Sequence, residues 1–130
     1  MYGFTIRIPG AFEVVVARVP EELKREGFGV LADIDVQATL KAKLGVKRLP
    51  YRNLGACNRP LAHRAIEAEP DIGLFLPCNV IVPREKDGRN VMGFMEPAAV
   101  LAPAERPELE TVGTEVRARP LRVRDTLARA

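Results

Sequence analysis

The sequence predicts an α+β domain: a mainly antiparallel mixed sheet with helices packed on one face, in a two-layer sandwich. Three observations carry this. Apolar residues recur at every second position in the N-terminal eight residues and again over 28–34, the period of half-buried strands. Between these stretches the period becomes helical, and each helical run is bounded by a capping residue, a glycine or a proline. An Asp87-Gly88 tip joins two apolar runs as a hairpin, which makes that pair antiparallel.

Taken in order, Tyr2 to Ile8 is the first strand, with Phe4, Ile6 and Ile8 alternating with Thr5 and Arg7, and Pro9-Gly10 ends it. From Ala11, residues Phe12, Val15, Val16, Val19 and Leu23 fall on one helical arc, Glu13 suits the positive N-terminal end, and Gly27 follows as a closing residue. Pro20 removes the hydrogen bond to the Val16 carbonyl, which predicts a kink or two shorter helices, although the apolar stripe continues across it. Phe28 to Ile34 is the second strand, with Phe28, Val30, Ala32 and Ile34 on one face. Asp35 caps a helix carrying Val36, Leu40 and Leu44, and Gly45 closes it. Tyr51 to Cys57 is a third strand, and Asn58 caps a helix through Glu69 that Pro70 terminates. Asp71 to Val82 reads as a strand buried on both faces, with Pro77 implying a bulge or an edge position near Cys78. Asn90 to Glu96 returns after the hairpin. Pro103 to Pro107 is a boundary, beyond which Leu109, Val112, Val116, Val123 and Leu127 share a helical face; Gly113 and Pro120 weaken that helix, and Pro120 points with the stripe.

At 130 residues the chain fits one domain, 1–130, with a C-terminal helical segment at 103–130, and a chain of this size buries roughly two-thirds of its unfolded surface without a metal or disulfide. The net charge of +3 is small and spread along the chain, and five Phe, two Tyr and no Trp offer no base-stacking surface, so nucleic acid is not an expected partner. The longest uncharged run, Ile72 to Pro83, is 12 residues, too short for a membrane span. Fifteen Arg against five Lys, no Ser and a single Gln point to a thermophilic or GC-rich source. Cys57 and Cys78 form no Cys-x-x-Cys, and without a secretory leader they are expected as free thiols in a reducing cytoplasm. An apolar second sheet face would require a partner, and self-association is the simplest.

Several blocks occur in a fixed order: Gly27-Phe28-Gly29-Val30-Leu31, Asp35-Val36-Gln37-Ala38-Thr39-Leu40-Lys41, Leu54-Gly55-Ala56-Cys57-Asn58, Ala62-His63, and Gly73-Leu74-Phe75-Leu76-Pro77-Cys78-Asn79-Val80. Together, between residues 27 and 82, they resemble the bacterial and archaeal family known as domain of unknown function 302. The resemblance implies a compact two-layer α+β domain that dimerises, and it implies no established reaction, substrate or cofactor. Two features depart from the family's pattern. Pro20 and Pro120 stand where its helices normally run uninterrupted, and Arg59 stands where a second proline is common before Pro60.

Cys57, Asn58, His63, Cys78 and Asn79, with Arg52, are the candidate site residues. A strand–helix–strand crossover would make the two cysteine-bearing strands parallel if adjacent, bringing the thiols together beside a helix N-terminus that lowers a thiol's pKa and attracts anions. Each residue also has an ordinary explanation. His63 is a rim histidine paired with Glu67 one turn on, or a base or ligand beside Cys57. The cysteines fill the core, or act as redox or nucleophilic thiols. Asn58 is a helix cap; Asn79, inside an apolar strand, braces the backbone near Pro77 or contacts a ligand. Arg52, Arg59 and Arg64 are solvated, or two of them face the helix entrance and suit a phosphate or carboxylate. Cys-x5-His-x14-Cys matches no standard metal spacing, so no metal and no cofactor is expected. Asp33 is one spare aspartate rather than half of a dyad, and Gly27-x-Gly29 precedes a strand rather than a helix, so it is no dinucleotide loop. Three functions remain: a homodimeric cytoplasmic module binding a small, anionic ligand; a small thiol-dependent or metal-assisted enzyme or redox protein using Cys57 or Cys78 with His63; and a protein–protein interaction module.

Overall fold

A computed structural model of the chain describes residues 3–96 and 107–128. The elements are β1 (Gly3–Ile8), α1 (Phe12–Arg25), β2 (Gly29–Asp35), α2 (Val36–Leu44), β3 (Tyr51–Cys57), α3 (Arg59–Ala68), a 3-10 helix (Pro70–Phe75), β4 (Cys78–Pro83), β5 (Asn90–Met95) and α4 (Pro107–Ala128). The strands form one sheet in the order β1-β5-β4-β3-β2, antiparallel at every described pairing. The architecture is α+β, as the alternating periods require.

One face of this sheet is apolar and packed. It presents Ile8, Leu54, Ala56, Val80, Val82, Met92 and Phe94 to Phe12, Val15, Val19 and Leu23 of α1, Leu61 and Ala65 of α3, and Val116, Val123 and Leu127 of α4. The α1 stripe is the one its spacing predicts, with Val16 only partly buried. Two shorter helices do not form at Pro20: α1 is a single helix, with buried side chains on both sides of the proline. The same holds in α4, which packs on both α1 and α3 and runs through a buried Pro120. Tyr2, the 103–107 boundary up to residue 106, and the side chains of Leu109 and Val112 lie outside the described residues.

The local stop and start signals act where the sequence places them. Asp35 Oδ1 accepts the Ala38 N–H at 2.9 Å, and Gly45 closes α2 at φ 67°. Asn58 Oδ1 accepts the Leu61 N–H at 3.2 Å, and Glu69 ends α3 ahead of Pro70. Gly88 turns the β4–β5 hairpin at φ 86°, with Gly88 N–H donating to the Glu85 carbonyl.

Three expectations are corrected. β2 does not keep Phe28, Val30, Ala32 and Ile34 on one face: the register against β3 shifts between Val30 and Ala32, so Leu31 is an extra residue, and Ala32 and Ile34 are exposed. Residues 71–82 are not one doubly buried strand. Pro70–Phe75 is a 3-10 helix anchored by the buried Ile72, and β4 begins only at Cys78, with alternating burial. Pro77 lies just ahead of this central strand, so it needs neither a bulge nor an edge. Finally, β3 and β4 are antiparallel, because the 3-10 helix returns the chain to the end of the sheet it left.

The opposite face is mixed rather than apolar. Thr5, Arg7 and Asn79 are exposed there, and the face fills its own gaps: Ile81 Cγ1 lies 2.8 Å from where a β-carbon on Gly93 would sit, and Pro77 Cγ 3.0 Å from that of Gly55. On the packed side, Asn90 is 1% exposed, and its Nδ2 donates to the Gly10 carbonyl at 2.6 Å and the Ile8 carbonyl at 3.3 Å. It thereby ties the start of β5 to the turn that launches α1. Asn90→Ala strands both carbonyls and is expected to cost about 1–3 kcal/mol, read as a lower urea midpoint at unchanged m-value.

Candidate functional site

The chain leaves α1 through Gly27 at φ 87°, a left-handed conformation that suits glycine. A β-carbon there would lie 2.9 Å from both Arg119 Nη1 and Asn58 Nδ2. Arg119 reaches from α4 to donate to the Glu26 carbonyl at 2.8 Å, and Asn58, 7% exposed, begins α3. The end of α1, the start of β2, the β3–α3 junction and α4 therefore meet at one glycine.

Beside this junction is an open cleft of ≈ 490 Å³. Its walls are Pro20 and Lys24 from α1, Gly27 to Val30 leading into β2, and Cys57, Arg59 and Pro60 where β3 turns into α3. Lys24 and Arg59 make no ion pair among the described residues, and of the acids near the end of α1, Glu22 pairs with Arg25 and Glu26 with Arg122. The cleft thus offers two cations, a thiol and an apolar wall, next to the N-terminal end of a ten-residue helix.

The candidate residues do not all converge. Of the six, Cys57 alone lines the cleft, and Asn58 supports it from behind as the cap of α3. Cys78 is opposite Ala56 in the ladder, so it shares the packed face and lines a small internal gap together with Phe28, Phe94 and Pro120. Asn79 is exposed rather than enclosed, since alternation turns it to the open face opposite Gly55. His63 is exposed, and among the described residues no ion pair joins it to Glu67. Arg52 is at the other end of β3, held by Asp33 through Nε–Oδ1 at 3.0 Å and Nη2–Oδ2 at 2.9 Å. Arg64 pairs with Glu115 of α4 at 3.7 Å, leaving Arg59 as the arginine of the three that faces the helix entrance. Sequence reasoning missed Lys24 and Pro20. Their signal is the i, i+4 spacing that puts both on one side of α1 just before Gly27.

The thiols are pushed up, not down. Burial raises Cys57, with Arg59 opposing it, and burial followed by the charge of Cys57 raises Cys78 to about 11. Desolvation is the largest effect at both thiols, and at Cys57 it outweighs the charge of Arg59. Among the described residues no three His, Cys, Asp or Glu side chains gather as metal ligands.

Two tests follow from this geometry. Gly27→Ala puts a methyl group into both donors at a positive φ and is expected to cost about 1–3 kcal/mol. Gly29→Ala, whose nearest neighbour would be Arg59 Nη2 at 3.8 Å, is expected to unfold within about 0.5 kcal/mol of the parent. In native protein, iodoacetate is expected to modify Cys57 before Cys78, with the Cys78 rate climbing about tenfold per pH unit as pH approaches the thiol's raised value. The native state holds the Cys78 proton longer than the unfolded chain does. Its contribution to stability is intact below the ordinary value of 9.0 and is lost as pH rises to about 11. Both thiols reacting as fast as in urea would contradict this.

No helix among the described residues is long and apolar enough to cross a membrane. No curated protein matches the chain. It is similar over 98% of its own length, and 98% of the other chain's, to the crystal structure of an uncharacterised conserved DUF302 protein from Bacillus stearothermophilus, with 28% identity and a TM-score of 0.90. The family model for the domain of unknown function DUF302 matches residues 4–127, and the chain belongs to that family.

Proposed function

We propose that this chain is a small-ligand binding module, homodimeric and cytoplasmic, which takes a compact anion with a short apolar part in the cleft between α1 and the β3–α3 junction. The biochemical function of its family is unknown, so the reading rests on the site. One observation carries it: Lys24 and Arg59 face the same open cleft, and neither is neutralised by an acid among the described residues. A carboxylate or phosphate held between them is oriented by the guanidinium fork, while Pro20, Val30 and Pro60 receive the apolar part. Free thiols at Cys57 and Cys78 suit a reducing compartment. Thiol catalysis has less support, because both thiols are held in their protonated form at neutral pH.

The test is thermal unfolding with inorganic phosphate and with a series of short-chain carboxylates. A true ligand at a hundredfold excess over its Kd is expected to add about 2.7 kcal/mol to the stability of the parent. Lys24→Ala and Arg59→Ala are expected to abolish that gain while folding normally. A gain that survives both substitutions, or none with any member of the series, overturns the reading.

A further inference from the structure

α2 rests on β2 and β3, with Val36, Gln37 and Leu40 half-buried, and its other residues face solvent. None of its residues is fully buried, and the exposure continues through the loop after it, so that residues 41–49 are all exposed. This is not a slack segment. Gln37 Nε2 donates to the Arg48 carbonyl at 2.9 Å, Thr39 Oγ1 to the Asp35 carbonyl at 2.8 Å, and the Arg48 guanidinium stacks 4.9 Å from the centre of the Tyr51 ring. The fixed arm presents Leu44, 69% exposed, with Val46 and Leu49, among Lys41, Lys43 and Lys47, which make no ion pair among the described residues. The acids nearest in sequence are already used: Asp33 holds Arg52, and Asp35 caps the helix.

A surface of opposite charge and like polarity exists on the same chain. The C-terminal part of α3 and the 3-10 helix packed on it expose Ile66, Phe75 and Leu74, the last 86% exposed, beside Glu67 and Asp71. Leu74 and Phe75 do not meet the arm within one chain. Lys47 and Leu49 precede Tyr51, at one end of β3, whereas Leu74 and Phe75 precede Cys78, which pairs next to the other end. Seven residues of strand separate them by about 20 Å. A two-fold axis running across the strands exchanges the ends of the sheet, bringing each arm to the other copy's acidic surface.

We infer that the α2 arm is a docking surface for a second copy of this chain, each arm seating Leu44, Val46 and Leu49 against Ile66, Leu74 and Phe75 of its partner, with Lys43 and Lys47 facing Glu67 and Asp71. The inference rests on the homodimer proposed above and gives it a surface. The complementary charge commits it to a second copy, since arm and acidic surface occur once each per chain and a dimer satisfies both.

The test is sedimentation velocity on the full chain, with circular dichroism confirming that each variant is folded. Lys43→Glu with Lys47→Glu, and separately Glu67→Lys with Asp71→Lys, are each expected to raise the dimer dissociation constant at least tenfold. All four substitutions together are expected to restore it. A parent that is monomeric throughout overturns both this surface and the homodimer. A dimer that neither pair weakens, or that the fourfold exchange fails to restore, overturns the surface and leaves the homodimer standing. Co-sedimentation of a monomeric parent with phosphatidylserine vesicles, lost in the lysine variant alone, overturns it in favour of a membrane surface.

Discussion

Four elements converge on Gly27, and the arrangement around it determines where the cleft can be. The residue turns the chain out of α1 at a positive φ, and the space a side chain would fill is occupied by Asn58 Nδ2 and Arg119 Nη1. Asn58 belongs to the cap of α3 and Arg119 to α4, so the spacing of three helices is referred to a single point on the backbone. Because Asn58 is spent on the Leu61 N–H and on this junction, it supports the site without facing it. The open side falls to Cys57 and Arg59, its neighbours in sequence, and to Lys24, one residue before α1 ends.

Burial sets the chemistry of this region more than charge does. A thiol beside an arginine and a helix N-terminus is ordinarily a reactive one. Here desolvation prevails at Cys57 even against Arg59, and more strongly at Cys78, which is packed against the core. The two cations of the cleft, Lys24 and Arg59, are exposed and open to an anion.

Features that depend on neighbouring residues were legible in the sequence. Asp35, Gly45, Asn58, Pro70 and Gly88 act through hydrogen bonds or backbone angles within a few residues of themselves, and each one acts as read. The helical stripe of α1 was legible for the same reason. The 3-10 helix was not, since Ile72, Leu74 and Phe75 give the apolar run of a buried strand, and only the packing of Ile72 shows that the chain is coiled there. Asn79 was misplaced as a result: moving the strand's start to Cys78 fixes the alternation that turns its amide outwards. Of the site, the Cys57–Asn58 half could be read from its cap. The Lys24 half could not, because it depends on how the end of α1 lies against another element.

The extra residue at Leu31 changes how the outer strand behaves toward other chains. Before it, β2 follows one hydrogen-bonding phase, and after it the other. An incoming extended segment would match half of that edge and miss the rest, so the strand is a poor template for fibre growth. Free edges of similar length often need a proline or a buried charge for the same protection. In this chain a single unpaired aliphatic residue provides it, leaving Ile34 and its neighbours free to project toward solvent.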